Sequence, residues 1–198
     1  MNAKRNRTIS TQTIALGAVM TALVILLQCI ATYTTFFGPF STAIALVPII
    51  IGAAMCGPII GAWLGFVFAA VVLLTGGAAL FFNFDIVGTY VTVVLKGIGC
   101  GLAAGWIYKL LEKYNVVLAT VVASIVCPVV NTGIFLLGSA VFFLDSASEI
   151  AAAVGSNANG MSVFVGLAFA NFLFELGLCL VLSPVAIRVL NIFKKKAN

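Results

Sequence analysis

The sequence predicts an all-α membrane protein: six transmembrane helices forming a single integral membrane domain over residues 1–198, with both termini cytoplasmic. Two observations carry the class. Of the 198 residues, 63% are hydrophobic and 8% charged, whereas soluble domains run at about 45–50% apolar and about 25% charged. A soluble globular fold is therefore excluded. The charge-free runs are equally telling: residues 8–84 form 77 consecutive uncharged positions, and Tyr114 to Leu144 and Ile150 to Phe174 are two more. Each exceeds the roughly 20 apolar residues that a membrane helix needs. A transmembrane barrel would instead show segments of about 10 residues alternating inward and outward, and these runs are apolar on every face.

Gly, Pro and polar clusters divide the apolar text into elements. The first span is expected from Thr13 to Thr32. Its basic start resembles that of a signal peptide, but no small-residue cleavage site leads to a soluble domain. The second, Phe40 to Cys56, and the third, Ile59 to Gly77, are separated only by Gly57-Pro58, which forces an antiparallel pair. The second is short, so it is expected to be tilted or partly surrounded by protein. The remaining spans are expected at Ile86 to Leu111, Val116 to Phe143 and Met161 to Leu190.

Charge sets the orientation. Lys4, Arg5 and Arg7 lead the chain, and Arg188 with Lys194, Lys195 and Lys196 closes it. The positive-inside rule then makes both ends cytoplasmic. The same threading puts Lys109 and Lys113 inside, so Lys96 is the one basic residue that departs from the rule. The outer connections, near Tyr33 to Pro39, Ala78 to Asp85 and Asp145 to Gly160, carry no basic residue and three of the five acids. In the last, Ser146-x-x-Glu149 has the form of a capping box, with Gly155 as a stop. A short outer helix is expected there, either a lid or an ordinary surface element.

Ionisable groups at membrane depth are costly and point to function. This chain has two, Lys96 and Glu175, both about 15–21 Å below the outer ends of their spans at about 1.5 Å per residue. Asn171 lies one turn outward from Glu175 on the same face, and Asn131, followed by Thr132, lies midway along the fifth span. Spans four to six thus bring polar groups to one level, which suits a pocket for a polar small molecule. The alternative is a clasp in which Lys96 and Glu175 neutralise each other. Asn83, Phe84 and Tyr90, at the second outer connection, are further substrate-binding candidates. The aromatic residues there (Phe81, Phe82, Phe84, Tyr90) and in the first connection (Tyr33, Phe36, Phe37, Phe40) form either an interfacial belt or a wall for an apolar part of a ligand.

Small residues recur at four-residue spacing in Ala18/Ala22, Gly57/Gly61/Gly65 and Gly97/Gly101/Gly105, ridges that let helices approach closely. Five scattered cysteines (Cys29, Cys56, Cys100, Cys127, Cys179) read as small core side chains. With no histidine and no paired cysteines, no metal site is expected. No serine–histidine dyad and no phosphate-binding loop occur either, so catalysis, a bound cofactor and direct use of ATP are not expected.

These residues together resemble the substrate-binding (S) components of energy-coupling factor (ECF) transporters, six-helix vitamin-capture proteins of prokaryotes. The resemblance covers nearly the whole chain. It rests on basic residues followed by Ala18-x-x-x-Ala22, the hairpin from Val47-Pro48 to Gly57-Pro58-x-x-Gly61, Lys96-Gly97 leading to Ala104-Gly105-x-x-Tyr108-Lys109, Asn131-Thr132, and Asn171-x-x-x-Glu175 followed by Ser183-Pro184. It implies a high-affinity binding subunit of an ECF-type ABC importer in the prokaryotic plasma membrane, without enzymatic activity. The implied substrate is a water-soluble vitamin, pantothenate or riboflavin before others. Lys96 would suit a carboxylate, and the Phe-rich connections a flavin ring. The implied partners are a transmembrane T subunit, docked on the Ala18/Ala22 face, and two cytoplasmic ATPases; nucleic acid is not among them. Release by toppling within the membrane is likewise implied. A rival reading is a stand-alone secondary transporter with a proton-coupled Lys96/Glu175 pair.

Overall fold

The computed structural model describes residues 11–33, 43–143, 146–153 and 160–197. Among them run eight helices: α1 (Thr11–Tyr33), α2 (Ala43–Cys56), α3 (Pro58–Leu74), α4 (Ala79–Phe82), α5 (Ile86–Leu111), α6 (Val116–Phe142), α7 (Ala147–Ala153) and α8 (Gly160–Ala197). No described residue lies in a strand. Lys4, Arg5, Arg7, Phe36, Phe37, Pro39, Phe40, Leu144, Asp145 and Gly155, all named above, lie outside the described residues.

Four stretches are long and apolar enough to cross a membrane: Thr13–Tyr33, Ile86–Leu111, Val116–Phe142 and Ala168–Ile192. The hairpin helices fall short of that length. With 14 residues, α2 reaches only about 21 Å at about 1.5 Å per residue, against a hydrocarbon thickness of about 30 Å. Its boundary is set by Gly57, whose φ of 94° is costly for any residue with a Cβ, and by Pro58 at the start of α3. The short helix is walled in by protein: α2 packs on α1, α3, α5, α6 and α8, and Leu46, Ile49, Ile50 and Ala53 are all buried.

The α3–α5 seam is made of backbone. A Cβ on Gly65 would run into the carbonyl of Gly97, and one on Gly61 into the carbonyl of Gly101. Further along, a Cβ on Gly105 would stand 2.6 Å from Pro58 Cα. The glycine ridges therefore serve internal packing, and they fix α5, with its lysine, against α3.

Local signals explain the helix ends. Asp85 caps α5 by accepting from Gly88 N–H at 3.1 Å, and Asn115 caps α6 by accepting from Val117 N–H at 2.8 Å. In α8, Pro184 has no N–H to give to the carbonyl of Leu180. The hydroxyl of Ser183 donates to that carbonyl instead, at 2.8 Å. At its C-terminal end α8 continues past Leu190 to Ala197, so the lysine run Lys194 to Lys196 extends the helix.

Two short helices shape one end of the helical body. The expected one is α7, where Ile150 N–H donates to Ser146 O at 2.9 Å. It is more than an ordinary surface element, because Ile150 is buried with Phe81, Phe135, Phe143 and Ala168. The other, α4, replaces what was expected to be a plain connection. Burial of Phe81 accounts for it: the ring lies edge-on to Phe135 at 5.7 Å and tilted against Phe143 at 5.5 Å.

On α1, Ala18 and Ala22 are exposed, beside exposed Ile14, Val19 and Leu26. That face looks away from the helical body.

Candidate functional site

The site is built where α5, α6 and α8 meet. Glu175 on α8 has no exposed surface. Burying a carboxylate demands partners, and two amides supply them. Asn171, one turn earlier on the same helix, donates through Nδ2 to Oε1 at 2.9 Å. Asn131 on α6 donates through Nδ2 to Oε2 at 3.0 Å and to Oε1 at 3.3 Å. Spacing explains the first contact, since positions i and i+4 share a helix face. The second crosses from one helix to another and ties α6 to α8.

Lys96 on α5 faces the same region from the opposite side. Its ammonium lies over the ring of Phe135, 5.4 Å from the centroid, the geometry of a cation–π contact. Glu175 is near enough to Lys96 to act on it electrostatically. Phe135 and Asn131 are four residues apart, so the ring under the lysine and the amide on the carboxylate come from one face of α6.

Between these groups lies a cavity of about 40 Å³, lined by Lys96 and Val93 from α5, Asn131, Thr132 and Phe135 from α6, and Ala168 and Asn171 from α8. Val72, Gly77, Ala78 and Phe81 close it on the α3–α4 side. Glu175 is not part of this lining, but it accepts from the amides of Asn131 and Asn171, which are. One atom there is unmatched: Asn131 Oδ1 is buried and accepts no hydrogen bond.

Of the candidate residues named from the sequence, Lys96, Asn131 and Asn171 come together as lining, with Glu175 hydrogen-bonded to the two amides. Asn83 and Tyr90 are exposed and do not line the cavity, and Phe84 is half-buried against the Phe81 cluster. The Tyr90 ring rests on Phe82, 5.2 Å between centroids. The aromatic residues thus pack mainly on one another, and among the described residues Phe81 and Phe135 are the aromatic side chains that reach the cavity. Thr132, Val72 and Phe135 were not among the candidates. Their position one residue from Asn131 or one turn away on the same face was a signal for Thr132 and Phe135, while Val72 in an apolar run gave none.

A family model described as the substrate-specific component of ECF transporters matches residues 12–187. The chain belongs to that family. No curated protein and no solved structure matches it. The matched range takes in every residue of the Lys96, Asn131, Asn171 and Glu175 cluster. As an ECF substrate-specific component, the chain is a membrane-embedded transporter subunit. It has a small-molecule substrate and associates with ECF T and ATPase modules. The family is one of transporters and not of enzymes.

Proposed function

We propose that this chain is the high-affinity capture subunit of an ECF-type importer for a water-soluble vitamin, with pantothenate or riboflavin the leading candidates. In this reading residues 1–198 form one domain in the prokaryotic plasma membrane that crosses it six times, α2 and α3 included, with both termini cytoplasmic. The observation that carries it is the carboxylate of Glu175, buried at membrane depth and held by two amides that line a shared cavity with Lys96. Such a group is expensive in hydrocarbon and is retained where a ligand or ion makes use of it. A T subunit docks on the outward Ala18/Ala22 face, and two ATPases supply the energy that a chain without a phosphate-binding loop lacks. No cofactor takes part.

The cavity's size adds a requirement. At about 40 Å³ it holds little more than a water or two, whereas sites for small molecules occupy about 300 Å³ or more. Loading therefore widens the space among α5, α6 and α8. The test is equilibrium binding of vitamins to the purified chain, and then uptake in proteoliposomes with and without partner subunits. Tight binding without uptake by the chain alone is the expected result; gradient-driven uptake by the chain alone would favour the secondary-transporter reading.

A further inference from the structure

The hydrogen-bond capacities of the cavity wall narrow the ligand further, an inference that rests on the capture reading above. An amide side chain offers one NH₂ and one carbonyl oxygen. The NH₂ of Asn131 is turned to Glu175, 3.0 Å from Oε2 and 3.3 Å from Oε1. Its Oδ1 is left buried and unmatched. Lys96 offers three N–H donors and no acceptor, with the Phe135 ring beneath its ammonium. The lining residues thus supply one cation from α5 and one buried, unmatched acceptor from α6.

We propose that the cavity selects a carboxylate that also bears an O–H or N–H donor: the carboxylate meets the Lys96 ammonium, and the donor meets Asn131 Oδ1. Glu175 does not repel such an anion at close range, because the Asn131 and Asn171 amides donate to its oxygens. A cationic ligand would face the ammonium directly. A neutral planar ring gains little from Phe135, which is engaged by Lys96 at 5.4 Å and by the edge-on Phe81 ring at 5.7 Å.

The test needs only the full chain, purified in detergent, and equilibrium titration with matched pairs of probes. Pantothenate is compared with pantothenol, and biotin with biotinamide; each pair differs by replacement of the carboxylate with a neutral group. Riboflavin and thiamine complete the panel. At least one acid should bind more tightly than its neutral analogue by about tenfold or more, the scale of one charge-assisted hydrogen bond. Lys96→Met should shrink that ratio towards one, and Lys96→Arg should preserve a preference for the acid. Equal affinity within both pairs, no binding of either acid, or a ratio unaltered in folded Lys96→Met would overturn the proposal. The capture reading is judged separately. If riboflavin or thiamine binds and Asn131→Ala weakens it, that reading stands and the carboxylate inference fails. If nothing in the panel binds, or Asn131→Ala changes nothing, both fail.

Discussion

The two sides of α5 solve opposite problems. Towards α3 it presents Gly97 and Gly101, and the helices meet backbone to backbone with no room for a methyl group. Towards α6 and α8 it presents Lys96, which with Asn131 and Asn171 lines a small cavity next to a buried carboxylate. In hydrocarbon no hydrophobic force drives helices together, so the first side relies on close van der Waals packing of small residues. The second side tolerates an uneven match of donors and acceptors, which costs stability but leaves groups for a ligand. A rigid seam on one face is what allows an unfilled site on the other.

The largest expected effect lies on the seam. Gly65→Val places side-chain atoms against the Gly97 backbone, which cannot move aside as a flexible side chain would. Overpacking of this kind costs about 1–3 kcal/mol, occasionally more, and thermal unfolding of the purified protein should show it as a large fall in Tm or as loss of monodisperse protein. Gly97→Val should behave alike. A seam that accepted either without loss of Tm would not be close-packed.

Next comes the cluster. Glu175→Gln replaces an acceptor-only group by an amide whose NH₂ faces the NH₂ groups of Asn131 and Asn171. Relieving that clash turns Asn131 around and removes the acceptor from the cavity. Ligand affinity should fall by about tenfold or more, read by titration, while Tm moves less than with the seam variants.

Much of this contrast was visible in the sequence. Glycines at four-residue spacing in both apolar runs announced the seam, and Lys96, Asn131, Asn171 and Glu175 stood out because so few polar groups interrupt the spans. Gly57-Pro58 and Ser146-x-x-Glu149 located the hairpin and α7 for reasons of local backbone chemistry. Side-chain direction was not legible. Nothing in the text says that Lys96 rests on Phe135, or that Asn131 crosses from α6 to reach α8. The same gap explains Asn83 and Tyr90, which are near the site in sequence and turned away from it in space. Nor does an apolar run reveal that Phe81 buries itself and winds α4 from an outer connection. The shortness of the second span pointed to a helix partly surrounded by protein, and α2 is packed on α1, α3, α5, α6 and α8.

The smaller effects concern faces outside both regions. Ala18→Trp and Ala22→Trp add bulk to an outward face of α1 and should leave ligand titration unchanged within about twofold, since surface changes away from special features usually cost within about 0.5 kcal/mol. Uptake by the reconstituted complex should be lost, because this is the face proposed to dock the T subunit; normal uptake would move the docking face elsewhere. Least of all, Asn83→Ala should alter affinity by less than about twofold, and a larger loss would extend the site beyond the present cavity lining.

The central claim is that Asn131, Asn171, Lys96 and Glu175 together form the capture site. Mass spectrometry of small molecules that co-purify with the chain identifies the ligand, and its affinity is then titrated against the unaltered protein and against folded Asn131→Leu. Loss of affinity by about tenfold or more, the expected cost of removing one hydrogen-bonding partner in a buried site, is the predicted result. Undiminished affinity in that variant would contradict the claim.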